Sequence, residues 1–287
     1  MLTSTDVDRY RRDGLLVLPA LFTPTEIAAL RDAYDRDTRV PGDHRIVEAD
    51  SMTAASASDS DSAGASTADA DATPADKVRA LYASHLRQPE FAALVRAPRL
   101  VRAARQLLGP ELYLYQFKIN AKPAGGGDGW AWHQDYVAWR IADLLRTAEL
   151  VSAVLFLDEV TADNGPIAFV PGSHTDGLVR ADRGEQERSS QHLDPDDIAV
   201  PPALLDRLVA RRGVTAPTGA AGTVVFFHPE LVHGSSPNNS TAGRRVAIAT
   251  YNSVHNTPLG EPRAEYLVCR DTRPLPVEDD LPIIAAV

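Results

Sequence analysis

The chain has 287 residues, 44% of them hydrophobic, with a net charge of −10 and a single cysteine, Cys269. That length supports a sizeable core, while the negative charge disfavours a nucleic-acid partner or an anionic membrane surface. One cysteine excludes an internal disulfide, no run approaches the roughly 18 apolar residues of a membrane span, and the polar opening Thr3-Ser4-Thr5-Asp6 has no apolar signal segment, so a cytoplasmic protein is expected.

Along the chain, Thr23-Pro24-Thr25-Glu26 is the first helix start: Thr as N-cap, Pro at the first helical position and Glu placed to close a capping box. Ile27, Leu30 and Tyr34 then recur at helical spacing. From Ala49 to Asp76 the chain is almost wholly Ala, Ser, Asp and Thr, with little to bury, and reads as a mobile insertion or an active-site lid. A second helical region runs from Glu90 to Leu108, restarts at Pro98 and stops at Gly109-Pro110. Strand patterns follow at Tyr113 to Asn120, Trp130 to Asp135, Val151 to Leu157, Ile167 to Val170, Thr223 to Phe227 and Val246 to Tyr251. A charged loop over Arg180 to Asp197, solvated or at an active-site mouth, precedes a helix near Leu204 to Arg211. The class is mainly β with flanking helices, a sandwich or barrel forming one domain over 1–287 without internal repeats.

The chemistry concentrates at Trp132-His133-Gln134-Asp135. In an extended strand His133 and Asp135 project to one face and Gln134 to the other, so the first two can reach one metal ion. His233, beyond the apolar run Thr223 to Phe227, is the best third ligand, with His228 the alternative. Two imidazoles and a carboxylate on one face of an octahedron leave three positions open, the arrangement by which non-haem Fe(II) oxygenases bind a cosubstrate and dioxygen. Trp130, Trp132, Tyr136 and Trp139 bring more aromatic mass than a solvated strand normally carries.

Several further motifs occur in order: Tyr10-Arg11-Arg12-Asp13-Gly14 running to Pro19, Asn164-Gly165-Pro166, Pro171-Gly172-Ser173-His174, His233-Gly234-Ser235 and Arg244. With the histidine core, they resemble the phytanoyl-CoA dioxygenase family of Fe(II)/2-oxoglutarate oxygenases, in particular its bacterial branch that includes ectoine hydroxylase, over nearly the whole chain. The resemblance implies a double-stranded β-helix, or jelly roll, with His133, Asp135 and His233 as metal ligands. It implies Arg244 as the anchor for the distal carboxylate of 2-oxoglutarate, where a guanidinium makes a bidentate fork. Arg245 is the competitor, but neighbouring strand residues face opposite sides. Ser235, Asn120 and Ser152 match positions that add cosubstrate hydrogen bonds, and Gln116 and Trp139 match the substrate pocket, with ordinary strand and core residues as the alternative for these two. His174 closes a turn.

The chain departs from ectoine hydroxylases at Tyr136-Val137-Ala138-Trp139-Arg140, where they continue Phe-Glu-Thr-Trp-His, and at Ile248, where they carry an aromatic residue. These departures leave the iron chemistry in place and weaken the case for ectoine as the substrate. Asp135 argues against the halogenating relatives, which need a small residue there. The expected activity is hydroxylation of a C–H bond of a small molecule such as an amino acid, osmolyte or natural-product intermediate. Iron, 2-oxoglutarate and dioxygen serve as cofactor and cosubstrates, and succinate and carbon dioxide are released. Desaturation, epimerisation or ring formation on the same machinery is the alternative within the class, and a jelly-roll binding protein without turnover is the alternative outside it.

Overall fold

The computed structural model describes residues 1–47, 78–126, 129–179, 198–276 and 283. The segments 49–76 and 180–197, read above as insertion and loop, lie outside these residues.

Helix α1 (Ser4–Asp13) leads into β1 (Leu15–Leu18) and helix α2 (Pro24–Asp37). The capping box at Thr23 is formed: the Glu26 amide donates to the Thr23 hydroxyl at 3.3 Å and the Thr23 amide to the Glu26 carboxylate at 2.9 Å. Thr3 and Asp6 build the same device at α1. Strands β2 (Arg45–Val47) and β3 (Val78–Tyr82) come next, then helices α3 (Pro89–Leu94) and α4 (Pro98–Leu108). Pro98 opens α4, and Gly109 ends it at φ 137°, a backbone conformation in which a Cβ is strained.

The remaining strands are β4 (Leu112–Lys122), β5 (Trp130–His133), β6 (Leu150–Phe156), β7 (Ile167–Phe169), β8 (Val224–Phe227), β9 (His233–Ser235) and β10 (Arg244–Ser253). Helix α5 (Asp135–Ala142) follows β5, and helix α6 (Pro202–Arg212) precedes β8. The described strands form two sheets, in the orders β1-β8-β6-β10-β4-β3-β2 and β5-β9-β7, with antiparallel pairing throughout. This is the expected jelly roll.

Strand alternation explains how both faces of the large sheet are covered. Val224, Phe226, Ala247 and Ala249 pack under Ile27, Leu30, Phe91 and Leu100 of the helices. Val225, Phe227, Val246 and Ile248 point the other way and meet Phe169 of the small sheet. The functional residues lie on this second face, between the sheets.

One expected element needs correction. The strand read over Trp130 to Asp135 stops at His133, and Asp135 is the first residue of α5. Gln134 makes the turn: it is fully buried, its amide donates to the carbonyls of Gly177 at 2.9 Å and Glu230 at 2.6 Å, and its side-chain oxygen accepts from the Val179 amide at 2.7 Å. Three such bonds stabilise a bend that alternation alone does not foresee.

Candidate metal centre and two-ended pocket

His133 and His233 are register partners across β5 and β9, with ring centroids 4.3 Å apart. Gly234 permits this approach, because a Cβ there would sit 2.9 Å from the Trp130 carbonyl. Asp135 reaches the pair from the first turn of α5, where the helix dipole favours a carboxylate. Its oxygens lie 3.6 Å from His133 Nε2 and 3.8 Å from His233 Nε2. One ligand atom from each of the three residues falls within 4.8 Å of the others.

The tautomers suit metal binding. His133 Nδ1 lies 2.7 Å from the Ala131 carbonyl and His233 Nδ1 lies 2.9 Å from the Leu231 carbonyl. A carbonyl only accepts, so each Nδ1 carries the proton and each Nε2 offers a lone pair. Burial, with His133 adding to it, pushes His233 down to about 4, so the ring is neutral at pH 7. Burial alone would raise the Asp135 carboxyl, but the nearby Lys118 side chain holds it well below the usual carboxylate range. A neutral His233 ring and an ionised Asp135 carboxylate are protonation states a divalent ion requires.

His228 is not part of this cluster. Its Nδ1 accepts from the Glu230 amide at 3.2 Å and its ring lies 5.0 Å from His174, whose Nε2 meets the Arg11 carbonyl in the turn expected for it.

An open cleft of about 810 Å³ surrounds the three residues. One face of β4 supplies Gln116, Lys118 and Asn120 in alternation, and β10 supplies Arg244 and Ile248. At one end Arg244, 2% exposed, donates to the Gly165 carbonyl, while its Nε and the Asn120 side-chain oxygen have no hydrogen-bond partner. Burial pushes the guanidinium down to about 10, which leaves it a cation at neutral pH. Ser235 lines the same end and accepts from Lys122 Nζ at 2.8 Å. Arg245 points to the opposite face and pairs with Asp158 at 2.8 Å. Ser152 lies on the inter-sheet face, fully buried and bonded to Thr250 at 3.0 Å.

The other end holds Gln116, whose amide donates to the Leu267 carbonyl at 2.8 Å, and Trp139, edge-on to Tyr115. Sequence reasoning missed Lys118, 4.0 Å from Asp135, although extending the two-residue period from Gln116 and Asn120 reaches it. It also missed Arg263, which lines the cleft and forms a two-pronged ion pair with Asp143. Nothing local in the sequence marks Arg263.

The donor set, two imidazole nitrogens and one carboxylate, fits Fe(II), and Arg244, a buried cation whose Nε has no partner, fits a dianionic cosubstrate.

Comparison with known proteins agrees. The phytanoyl-CoA dioxygenase family pattern matches residues 10–246. The chain is 37% identical over 278 residues to the L-proline trans-4-hydroxylase of Streptomyces griseoviridis, covering 95% of each chain. It is 34% identical over 275 residues to the ectoine dioxygenase of Bordetella bronchiseptica, covering 94% of this chain and 83% of that one. Iron-bound EctD from S. alaskensis superposes with a TM-score of 0.76 at 27% identity, covering 99% of this chain and 89% of that one. A further EctD structure holds 2-oxoglutarate and 5-hydroxyectoine. With these matches spanning the chain and a His-Asp-His cluster in place, the protein belongs to the phytanoyl-CoA dioxygenase family and is an Fe(II)- and 2-oxoglutarate-dependent dioxygenase.

Proposed function

We propose that His133, Asp135 and His233 hold the iron, that Arg244 takes the distal carboxylate of 2-oxoglutarate with Asn120 and Ser235 beside it, and that Arg263 takes a carboxylate of the substrate. The observation that carries this reading is the three-residue ligand cluster lying between two buried arginines in one cleft. Bound iron with 2-oxoglutarate and dioxygen supplies the oxidising power, and the protein contributes positions and exclusion of water.

Arg244 orients the cosubstrate by a bidentate fork and confines it to one end. Gln116 and Trp139 bound the substrate at the other, with Trp139, Ala138 and Ile248 providing an apolar surface for its hydrocarbon part. Where ectoine hydroxylases carry an aromatic residue, Ile248 leaves a smaller wall. The substrate class that fits is a small amino or imino acid with a free carboxylate, hydroxylated at an unactivated carbon. Proline and ectoine, named for the relatives above, both carry such a carboxylate. Among the described residues no helix is long and apolar enough to cross a membrane, and we place the enzyme in the cytoplasm.

The test is a panel of small acids, beginning with L-proline and ectoine, scored by succinate formation and product mass. A gain of one oxygen atom is expected. Loss of two hydrogens would replace hydroxylation by desaturation or ring closure, and succinate formation with no panel member would reject the substrate class.

A further inference from the structure

Helix α5 joins the two ends of the cleft. It begins at Asp135 and is C-capped by Asp143, an axial span of about 12 Å at the α-helical rise. The Asp143 carboxylate accepts from Nε and Nη2 of Arg263 at 2.8 and 2.6 Å, and the Tyr115 hydroxyl donates to the same carboxylate. The backbone carbonyl of Asp143 accepts the amides of Leu259 and Gly260 at 3.0 and 3.1 Å, and the Tyr115 carbonyl accepts the Cys269 amide at 2.8 Å. The segment that delivers Arg263 is therefore tied to α5 and to β4 on either side of that arginine.

We propose that Asp143, oriented by Tyr115, is a positioning residue that sets the direction of the Arg263 guanidinium, so that α5 fixes the distance from the metal ligands to the substrate carboxylate and thereby selects the carbon oxidised. This rests on the reading of Arg263 given above.

A guanidinium has five donors in a rigid planar fork. With Nε and one Nη2 hydrogen committed to Asp143, only the outer edge faces a ligand, and the plane of that edge is fixed. Because Asp143 neutralises the charge, its contribution is direction more than attraction. Burial and the adjacent carboxylate hold the Tyr115 hydroxyl protonated, so it remains a donor. Small rings present adjacent carbons separated by little more than the displacement of about 1 Å that already costs on the order of a hundredfold in rate. A fixed span between anchor and metal is then a selector of position.

The experiment titrates free L-amino acids and cyclic imino acids, each beside its primary amide, into the Fe(II)- and 2-oxoglutarate-loaded enzyme without oxygen, by calorimetry. Aerobic products are then located by NMR. Wild type should prefer acids over amides and oxidise one carbon. Asp143→Asn should weaken acids about tenfold while amides and 2-oxoglutarate shift by less than about twofold, and a second positional product should appear. Tyr115→Phe removes only a hydroxyl and should move product ratio and acid affinity in the same direction by less. In an Arg263→Gln background, Asp143→Asn should add nothing, since it acts through that arginine. An unchanged product ratio in Tyr115→Phe together with an unchanged or unfolded Asp143→Asn would overturn the proposal, as would full additivity in the double variant. If wild type does not distinguish acids from amides, the reading of Arg263 fails first and takes this one with it.

Discussion

Two buried arginines occupy opposite ends of one cleft, and they differ in what neutralises them. Arg244 has one carbonyl partner, no carboxylate within ion-pair distance among the described residues, and an unpartnered Nε. Arg263 is locked to Asp143 by two short bonds, with Tyr115 behind. Burial drives the first guanidinium down to about 10, whereas the paired carboxylate lifts the second against the same burial. An unneutralised cation in a desolvated pocket is a strong anion site, because its charge is answered only when a ligand arrives. A neutralised one contributes geometry. The first therefore suits a cosubstrate common to every turnover, and the second a substrate that must be oriented.

The comparison has meaning only if the metal lies between the two ends, and removing a ligand should have the largest effect. Asp135→Gly and His233→Ala should each abolish product formation and tight Fe(II) binding, while His228→Ala should retain both. Activity surviving in His233→Ala but lost in His228→Ala would move the metal away from the position assumed here.

Next in size is Arg244→Ala. Truncating one partner of a buried charge pair costs about 3–5 kcal/mol, so the Michaelis constant for 2-oxoglutarate should rise by roughly two to four orders of magnitude. An unchanged constant would remove the asymmetry between the ends.

Much of this was legible beforehand, and the failures have physical causes. The capping box at Thr23, the restart at Pro98 and the strands from Leu112 onward follow from local rules, and the inward face of Arg244 follows from strand alternation. Helix α5 was missed because Trp130 through Tyr136 has the aromatic content of a strand, and the bend is made by Gln134 bonding to residues 43 and 96 positions away. Arg263 was missed because its partner Asp143 is 120 residues distant, and no periodicity reports such a pair. Ser152, carried over by resemblance, lies on the inter-sheet face and bonds Thr250 there.

A third expectation bounds the comparison in pH. Burial pushes His85 and His228 down to about 4, with Arg96 adding at the first and His174 at the second. Both are neutral in the folded protein down to about pH 4, whereas in the unfolded chain they take a proton near pH 6.5. Their contribution to stability is therefore complete above pH 6.5 and lost as pH falls from 6.5 to 4, by up to about 3 kcal/mol each. Thermal melts at pH 7 and 5 should show this loss, and His85→Gln should reduce it. Neither arginine changes charge in that window.

The smallest effect belongs to Arg245→Ala. Its guanidinium faces away from the cleft, against Asp158 and Tyr34. Stability should fall by about 1 kcal/mol, read by denaturant unfolding, with 2-oxoglutarate affinity changed less than about twofold.

The most direct test of the unlike ends is a crossed titration without oxygen: 2-oxoglutarate, then the substrate acid, into Fe(II)-loaded wild type, Arg244→Ala and Arg263→Gln. The account predicts that Arg244→Ala loses 2-oxoglutarate affinity by at least about a hundredfold and that Arg263→Gln leaves it intact while weakening the acid about tenfold. Equal losses of both ligands in both variants would contradict it.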